Sequence, residues 1–183
     1  FFGFDHIEIW NKNGKQASRW TSFGSEAVIT SIAAKGNDVF VADAGQKVVY
    51  RCDLKGNLIK KIGLKDPATG IPGFIIPSPY FDLGISKDGN LWVVNPGRHS
   101  FEKYAFDGTL LTSWAKASMA MEGFCGCCNP SNFAFLNDSL FVTSEKGIER
   151  VKIYNTDGTF LAVVATPDQF EEGTTGLDLA VDA

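Results

Sequence analysis

The sequence predicts an all-β fold, and three observations lead to that prediction. Phe and Gly are both frequent, with 15 and 19 residues in a chain of 183, a pairing typical of sheets joined by tight turns. Runs of β-branched and aromatic residues flank short turn dipeptides, which favour hairpins because their central residues can take positive φ. The last three of these hairpins recur about every 50 residues, as in repeat architectures. The turn dipeptides are Asn13-Gly14, Lys55-Gly56, Asp107-Gly108 and Asp157-Gly158.

Taken in order, the chain begins with a partial unit, 1–24, that supplies only two strands. Three whole units follow, 25–63, 78–116 and 124–166, each with four short strands, and 174–183 supplies the first strand of a further unit. A four-stranded antiparallel sheet repeated around an axis is the blade of a β-propeller, which closes with about four to eight blades. We therefore expect one β-propeller domain that forms part of a ring of about six blades, within a longer chain and with almost no helix.

The longest stretch between predicted strands, 63–80, contains Pro67, Pro72, Pro77 and Pro79. Proline cannot donate to the hydrogen bonds of a central strand. This stretch is therefore predicted to be an ordered loop on one rim of the propeller.

Charge and hydropathy argue against two classes of partner. The net charge is −4, from 17 basic and 21 acidic residues, without a Lys/Arg block, so nucleic acid has no electrostatic footprint. No apolar run approaches the roughly 18 residues of a membrane span, and we expect no transmembrane segment in this portion.

The repeated unit resembles the NHL repeat. The matching segments are Val39–Gly45, Lys47-Val48, Asp53–Gly56 and Ile62-Gly63, repeated later as Leu140–Ser144, Arg150–Tyr154 and Thr156–Gly158. Asn95 and Ser144 stand where the family has Asp at the end of the second strand, and Arg150 stands at a family position that is usually structural. The resemblance implies a bacterial NHL-repeat protein that acts as a binding or scaffolding subunit of a protein complex. It also implies an extracytoplasmic location, periplasmic or secreted.

Three of the four cysteines, Cys125, Cys127 and Cys128, lie just before a predicted first strand. First strands of propeller blades lie nearest the axis, so we expect the three sulfurs to converge where the central channel opens. Such thiolates suit a soft metal ion or an iron–sulfur cluster, although Cys-x-Cys-Cys is not a standard spacing. Redox-active thiols and plain buried thiols in a Gly-rich loop remain open. The fourth cysteine, Cys52, alternates with apolar residues and is predicted to lie in the core.

The remaining candidate residues do not form a catalytic set. His6 and His99 are the only histidines, too few for a zinc site built from several histidines. Asp82 and Asp178 stand in predicted first strands, where they either line the channel or cap a neighbouring loop. The sequence therefore favours a non-enzymatic binding or scaffolding propeller with the cysteine loop as a metal or ligand site. The alternative is a redox or electron-transfer protein with a cysteine-bound metal or iron–sulfur centre.

Overall fold

The computed structural model describes residues 3–182. This part of the chain contains three four-stranded antiparallel sheets and one two-stranded hairpin. The strands are β1 (Glu8–Trp10), β2 (Gln16–Arg19), β3 (Ile29–Lys35), β4 (Asp38–Asp43), β5 (Val48–Asp53), β6 (Leu58–Ile62), β7 (Leu83–Ile85), β8 (Leu91–Asn95), β9 (Ser100–Tyr104), β10 (Leu110–Ala115), β11 (Asn132–Phe135), β12 (Leu140–Ser144), β13 (Val151–Asn155) and β14 (Phe160–Ala165). Within the described residues, helix is limited to the 3₁₀ turns Pro96–Arg98 and Pro167–Gln169.

Strand order within each sheet follows the chain, β3 to β6, β7 to β10 and β11 to β14. The first strands of successive sheets are neighbours, because β7 contacts both β3 and β11. Four-stranded meanders whose first strands gather on one side are the blades of a β-propeller. The predicted fold class is therefore confirmed.

The strands of the three sheets fall inside the predicted units 25–63, 78–116 and 124–166, and β1 and β2 fall inside 1–24. No strand is assigned between 174 and 182, where a further first strand was predicted. Residues 1, 2 and 183 lie outside the described part of the chain, and the boundaries of the partial units remain predictions.

Strand register shows which residues occupy the same place in each sheet. The equivalent pairs are Val39 with Cys52, Leu91 with Tyr104 and Phe141 with Tyr154. Four residues after the first member of each pair stand Asp43, Asn95 and Glu145. The Glu145 backbone N–H donates to the Arg150 carbonyl oxygen at 3.0 Å, which extends the pairing beyond β12. Glu145, and not Ser144, therefore occupies the position that holds Asp43 in the first sheet, which corrects the sequence-based assignment.

The core consists of apolar layers between successive sheets. One layer joins the first and second sheets and includes Phe40, Phe81 and Leu91; another joins the second and third and includes Trp92 and Phe141. Further rings in the second layer make edge-to-face and stacked contacts, which add to the burial energy. The rings of that layer are Trp92, Phe101, Phe124, Phe133, Phe141 and Tyr154.

A Trp–Gly contact closes two of the sheet junctions. A Cβ atom on Gly56 or Gly158 would lie 2.7 Å from the ring of Trp20 or Trp114, and both glycines have positive φ. The Trp114 indole N–H also donates to the Thr156 carbonyl oxygen at 3.1 Å. Glycine is favoured at these turns, because a tryptophan in or directly after one outer strand lies across the hairpin of the next sheet. No described helix is long and apolar enough to cross a membrane.

Candidate functional site

The two ends of the sheets differ in how the chain connects there. At one end lie the links between second and third strands and the links from each sheet to the next, because Ile29 pairs with Asp43 and Ile62 with Val49. We call this end the loop face, comprising residues 20–28, 44–47, 63–82, 96–99, 116–131 and 145–150. The opposite end, here the turn face, carries the tight hairpins 35–38, 53–58, 85–91, 104–110, 135–140 and 154–160. The three clustered cysteines and both long connections lie on the loop face.

Asn129 holds the cysteine loop against the third sheet. Its side chain is 1% exposed, and its Nδ2 donates to the carbonyl oxygens of Cys125 at 2.6 Å and Lys146 at 2.9 Å. The Lys146 backbone N–H donates back to Asn129 Oδ1 at 2.7 Å. His99 Nδ1 lies 3.1 Å from the Asn129 carbonyl oxygen, where a protonated Nδ1 donates to it. The loop is thus anchored to the second and third sheets by side-chain and backbone hydrogen bonds.

Cys127 and Cys128 form a thiol pair, with 3.1 Å between their sulfurs. Cys127 is exposed and Cys128 is buried. The Ser78 hydroxyl, from the long 63–82 connection, donates to the Cys128 sulfur at 2.8 Å. The hydrogen bond with Cys128 raises the pKa of the Cys127 thiol, while the positive charge of Lys146 opposes this rise.

The surroundings of Cys125 differ from those of the thiol pair. Its thiol is buried, and Arg150 Nη2 lies 3.9 Å from its sulfur. Gly126, with φ of 71°, lies between Cys125 and Cys127. Among residues 3–182, no group of three or more His, Cys, Asp or Glu side chains is placed to hold a metal ion. The expected convergence of three sulfurs on one point is therefore not seen in this structure, which groups the thiols as one pair and one single thiol.

Cys52 lies in the core, as predicted. It is fully buried between strands and packs with the residues that join the hairpin β1–β2 to the first sheet. Burial, together with the neighbouring Asp53 carboxylate, raises its pKa to about 11.

A buried ionic cluster beside Cys125 was missed by the sequence-based reasoning. Arg150 donates to both Glu145 oxygens, with Nε at 2.7 Å and Nη2 at 2.9 Å, and Lys152 Nζ lies 2.8 Å from Glu145 Oε2. Lys152 also donates to the Gly123 carbonyl oxygen at 2.6 Å and lies 4.3 Å from the centre of the Phe124 ring. Burial lowers the Lys152 pKa, and the Glu145 carboxylate opposes that shift. The cluster ties the 116–131 connection to the third sheet.

The sequence does contain a signal for this cluster, which lies in where its charged residues stand relative to the strands and turns. Lys152 follows Arg150 by two residues in a run that otherwise reads as a half-buried strand, and Glu145 stands one residue beyond the predicted strand end. Aligning by the turn glycines Gly56 and Gly158 would have placed Glu145 at the position of Asp43. Arg150 is buried and paired with Glu145 within this cluster.

Near the axis, Asp82 connects three sheets. Its carboxylate accepts hydrogen bonds from the Ser31 hydroxyl at 2.7 Å, its neighbour Leu83 N–H at 2.8 Å and the Phe133 N–H at 2.9 Å. Burial raises its pKa to about 6, the three hydrogen bonds oppose this rise, and the charge of Asp178 adds to it. Asp82 thus caps a neighbouring strand, and it also lines a polar cleft of about 330 Å³ that includes Asp178.

The two histidines, His6 and His99, lie in different parts of the structure. His6, on the hairpin β1–β2, pairs with Asp5 at 2.7 Å, whereas His99 contacts the cysteine loop. Asp178 accepts the Leu179 N–H at 2.8 Å, repeating the contact that Asp82 makes with its own neighbour.

Several solved structures are similar to this chain over most of its length. Virginiamycin B lyase from Staphylococcus aureus has a TM-score of 0.62 at 16% identity, over 86% of this chain and 48% of the lyase. Kuenenia stuttgartiensis hydrazine synthase has a TM-score of 0.60 at 14% identity, over 87% of this chain and 42% of that one. A chain of a nidogen/laminin complex has a TM-score of 0.62 at 14% identity, over 87% of this chain and 57% of that chain.

At such low identities, the structural similarity establishes the β-propeller fold and nothing about function. The chain spans about half the length of the first two of these structures. No family model matches the sequence, and no curated protein matches it either.

Proposed function

We propose that this chain is part of an NHL-type β-propeller that binds or scaffolds other protein subunits through its loop face. The observation that carries the proposal is the concentration of non-repetitive structure at one end of the sheets. The turn face consists of tight hairpins, whereas the loop face carries two long connections, 63–82 and 116–131, held by specific buried polar contacts. Ordered loops on a rigid scaffold are where binding residues concentrate.

NHL membership rests on the repeated segments that end at Gly56 and Gly158 and on their similar place in the sheets. An extracytoplasmic location follows from that resemblance and is part of the same proposal. Fractionation of the source cells tests it: the protein is expected outside the cytoplasm, and recovery only with the cytoplasmic fraction contradicts it.

We further propose that the cysteine loop is the metal or ligand site of this binding protein. Of Cys125, Cys127 and Cys128, only the last two have sulfurs in contact. A centre with all three thiolates, such as an iron–sulfur cluster, needs the Cys125 sulfur to join this pair, and among residues 3–182 no three such side chains are placed together. This arrangement gives the electron-transfer alternative less support than a binding role, and no catalytic residue is proposed.

Photo-crosslinking in the source cells tests the binding role. A photoreactive amino acid replaces exposed Gln46 on the loop face or, as the matched control, exposed Thr109 on the turn face. The Gln46 variant is expected to yield a discrete crosslinked partner that the Thr109 variant does not. Equal crosslinking from both positions, or crosslinking from Thr109 alone, would contradict the proposal.

A further inference from the structure

The thiol pair is presented to solvent by a loop that other contacts already hold in place. Cys127 is exposed, so packing does not explain a cysteine at this position. The neighbouring Asn129 is buried and hydrogen-bonded on both sides of its amide. An exposed reactive group on a pre-organised loop is the arrangement that binding sites use.

We propose that Cys127 and Cys128 chelate a soft, thiophilic metal ion as a two-thiolate site, for which Cu(I) is the test ion. The proposal rests on the proposed binding role of the loop face and deepens it, because it names the chemistry of the ligand. It also departs from the expected three-cysteine site, since it leaves Cys125 as a structural thiol.

The distance between the sulfurs fits a shared ion. Metal–thiolate bonds of about 2.3 Å allow two sulfurs on one ion to lie at most about 4.6 Å apart. The 3.1 Å between the sulfurs of Cys127 and Cys128 corresponds to an S–metal–S angle of about 85° at this bond length. An ion that takes a wider angle therefore requires the two sulfurs to move apart on binding. Among the described residues, Cys125 does not join the pair in a group of three side chains placed to hold a metal ion.

The charge around the pair fits a monovalent ion. Two thiolates and one Cu(I) carry a net charge of −1, and the cationic residue Lys146 is hydrogen-bonded to the same loop through its backbone N–H and Asn129 Oδ1. Its Nζ is 4.7 Å from the centre of the Tyr80 ring. Thiolate ligands select soft ions over Mg²⁺ or Ca²⁺. On binding, both S–H bonds break, two protons pass to solvent and two S–Cu bonds form, without any change in oxidation state.

Copper competition tests the site. The reduced, intact protein is titrated with Cu(I) in the absence of oxygen against a chromogenic Cu(I) chelator, and its fold is checked by circular dichroism. One equivalent is expected to bind tightly. Cys127→Ser and Cys128→Ser are each expected to weaken binding at least about 100-fold, because loss of an outer contact alone costs 10–100-fold. Cys52→Ala, a substitution of the buried core thiol, is the matched control and is expected to leave Cu(I) affinity unchanged.

A second measurement works on the unaltered protein. Phenylarsine oxide reacts with two adjacent thiols, forming two As–S bonds and releasing water, so one equivalent is expected to add to Cys127 and Cys128 and to block Cu(I) binding. Full Cu(I) affinity after Cys127→Ser, or after this blocking, overturns the proposal. An equal loss of affinity in a folded Cys125→Ala variant overturns its two-thiol form. If Cu(I) binding fails while Gln46 still crosslinks its partner, the chelate is wrong and the binding role stands.

Discussion

The first and third sheets use equivalent positions in chemically different ways. In the first sheet, Asp43 accepts the Val28 N–H at 2.9 Å and the Gln46 N–H at 3.0 Å, and so holds a short connection. In the third, Glu145 at the same position binds Lys152, which holds the much longer 116–131 connection.

The second sheet shows an intermediate arrangement. Asn95 accepts the Ile75 N–H at 2.9 Å and donates to Gly73 at 3.1 Å and to Glu102 at 2.7 Å. In all three sheets, the residue at this position, which is the last of the second strand or the next one along, fastens the connection that precedes the sheet. The comparison teaches that the repeat provides the scaffold, while one buried polar position per sheet adapts to the loop it must hold.

The largest expected effect comes from breaking this anchor in the third sheet. Glu145→Ala leaves Arg150 and Lys152 buried without their carboxylate, and removal of one partner from a buried ionic group costs about 3–5 kcal/mol. Urea unfolding should show that loss, and limited proteolysis should then cut within 116–124.

Lys152→Met is the matched control, because it keeps the Glu145–Arg150 pair and replaces a buried cation by an apolar side chain of similar length. A smaller loss of stability is expected than for Glu145→Ala. If the two variants lose the same stability, the carboxylate is not the centre of the anchor.

Much of the scaffold follows from the sequence, because turn glycines and alternating runs are local signals. Gly56, Gly108 and Gly158 mark the same hairpin in three sheets, and the strands around them lie where they were predicted. The ionic anchor depends instead on register between strands: with Glu145 misplaced by one residue, its contact with Lys152 could not be inferred. For the same reason, the contact between Cys125 and Arg150 was not expected, since spacing along the chain does not show which thiols share an environment.

A smaller effect tests whether equivalent turns are energetically equivalent. Gly108 and Gly158 have the same φ of 91°, but a Cβ would meet the Lys60 side chain at 3.5 Å in one case and the Trp114 ring at 2.7 Å in the other. Ala at either position carries the backbone penalty of roughly 1–2 kcal/mol, and only Gly158→Ala adds overpacking of about 1–3 kcal/mol. Thermal unfolding should give Gly158→Ala a lower melting temperature than Gly108→Ala. Equal melting temperatures would show that Trp114 gives way freely.

The smallest change in stability at neutral pH is expected from a substitution at Asp82, and it should also show the clearest pH dependence. Asp178 stands at the corresponding place in the following segment. The folded-state pKa of Asp82 is about 6, against an ordinary value of 3.8. Between these values the native state keeps a proton that the unfolded chain releases, so stability falls as pH rises through this window, by about 3 kcal/mol in all. Asp82→Asn removes this contribution to the slope and leaves that of Glu102, another carboxyl whose pKa is raised by burial. At pH 7 the variant escapes the cost of a buried charge but loses one acceptor for Ser31, Leu83 or Phe133, a loss of about 1–3 kcal/mol, and the two changes nearly cancel. Asp178→Asn removes a charge that adds to the rise of the Asp82 pKa, so it should lessen the slope slightly while leaving most of it in place. Urea unfolding from pH 4 to 7 measures both variants, and a slope in Asp82→Asn equal to that of the wild type would assign the titration to another group.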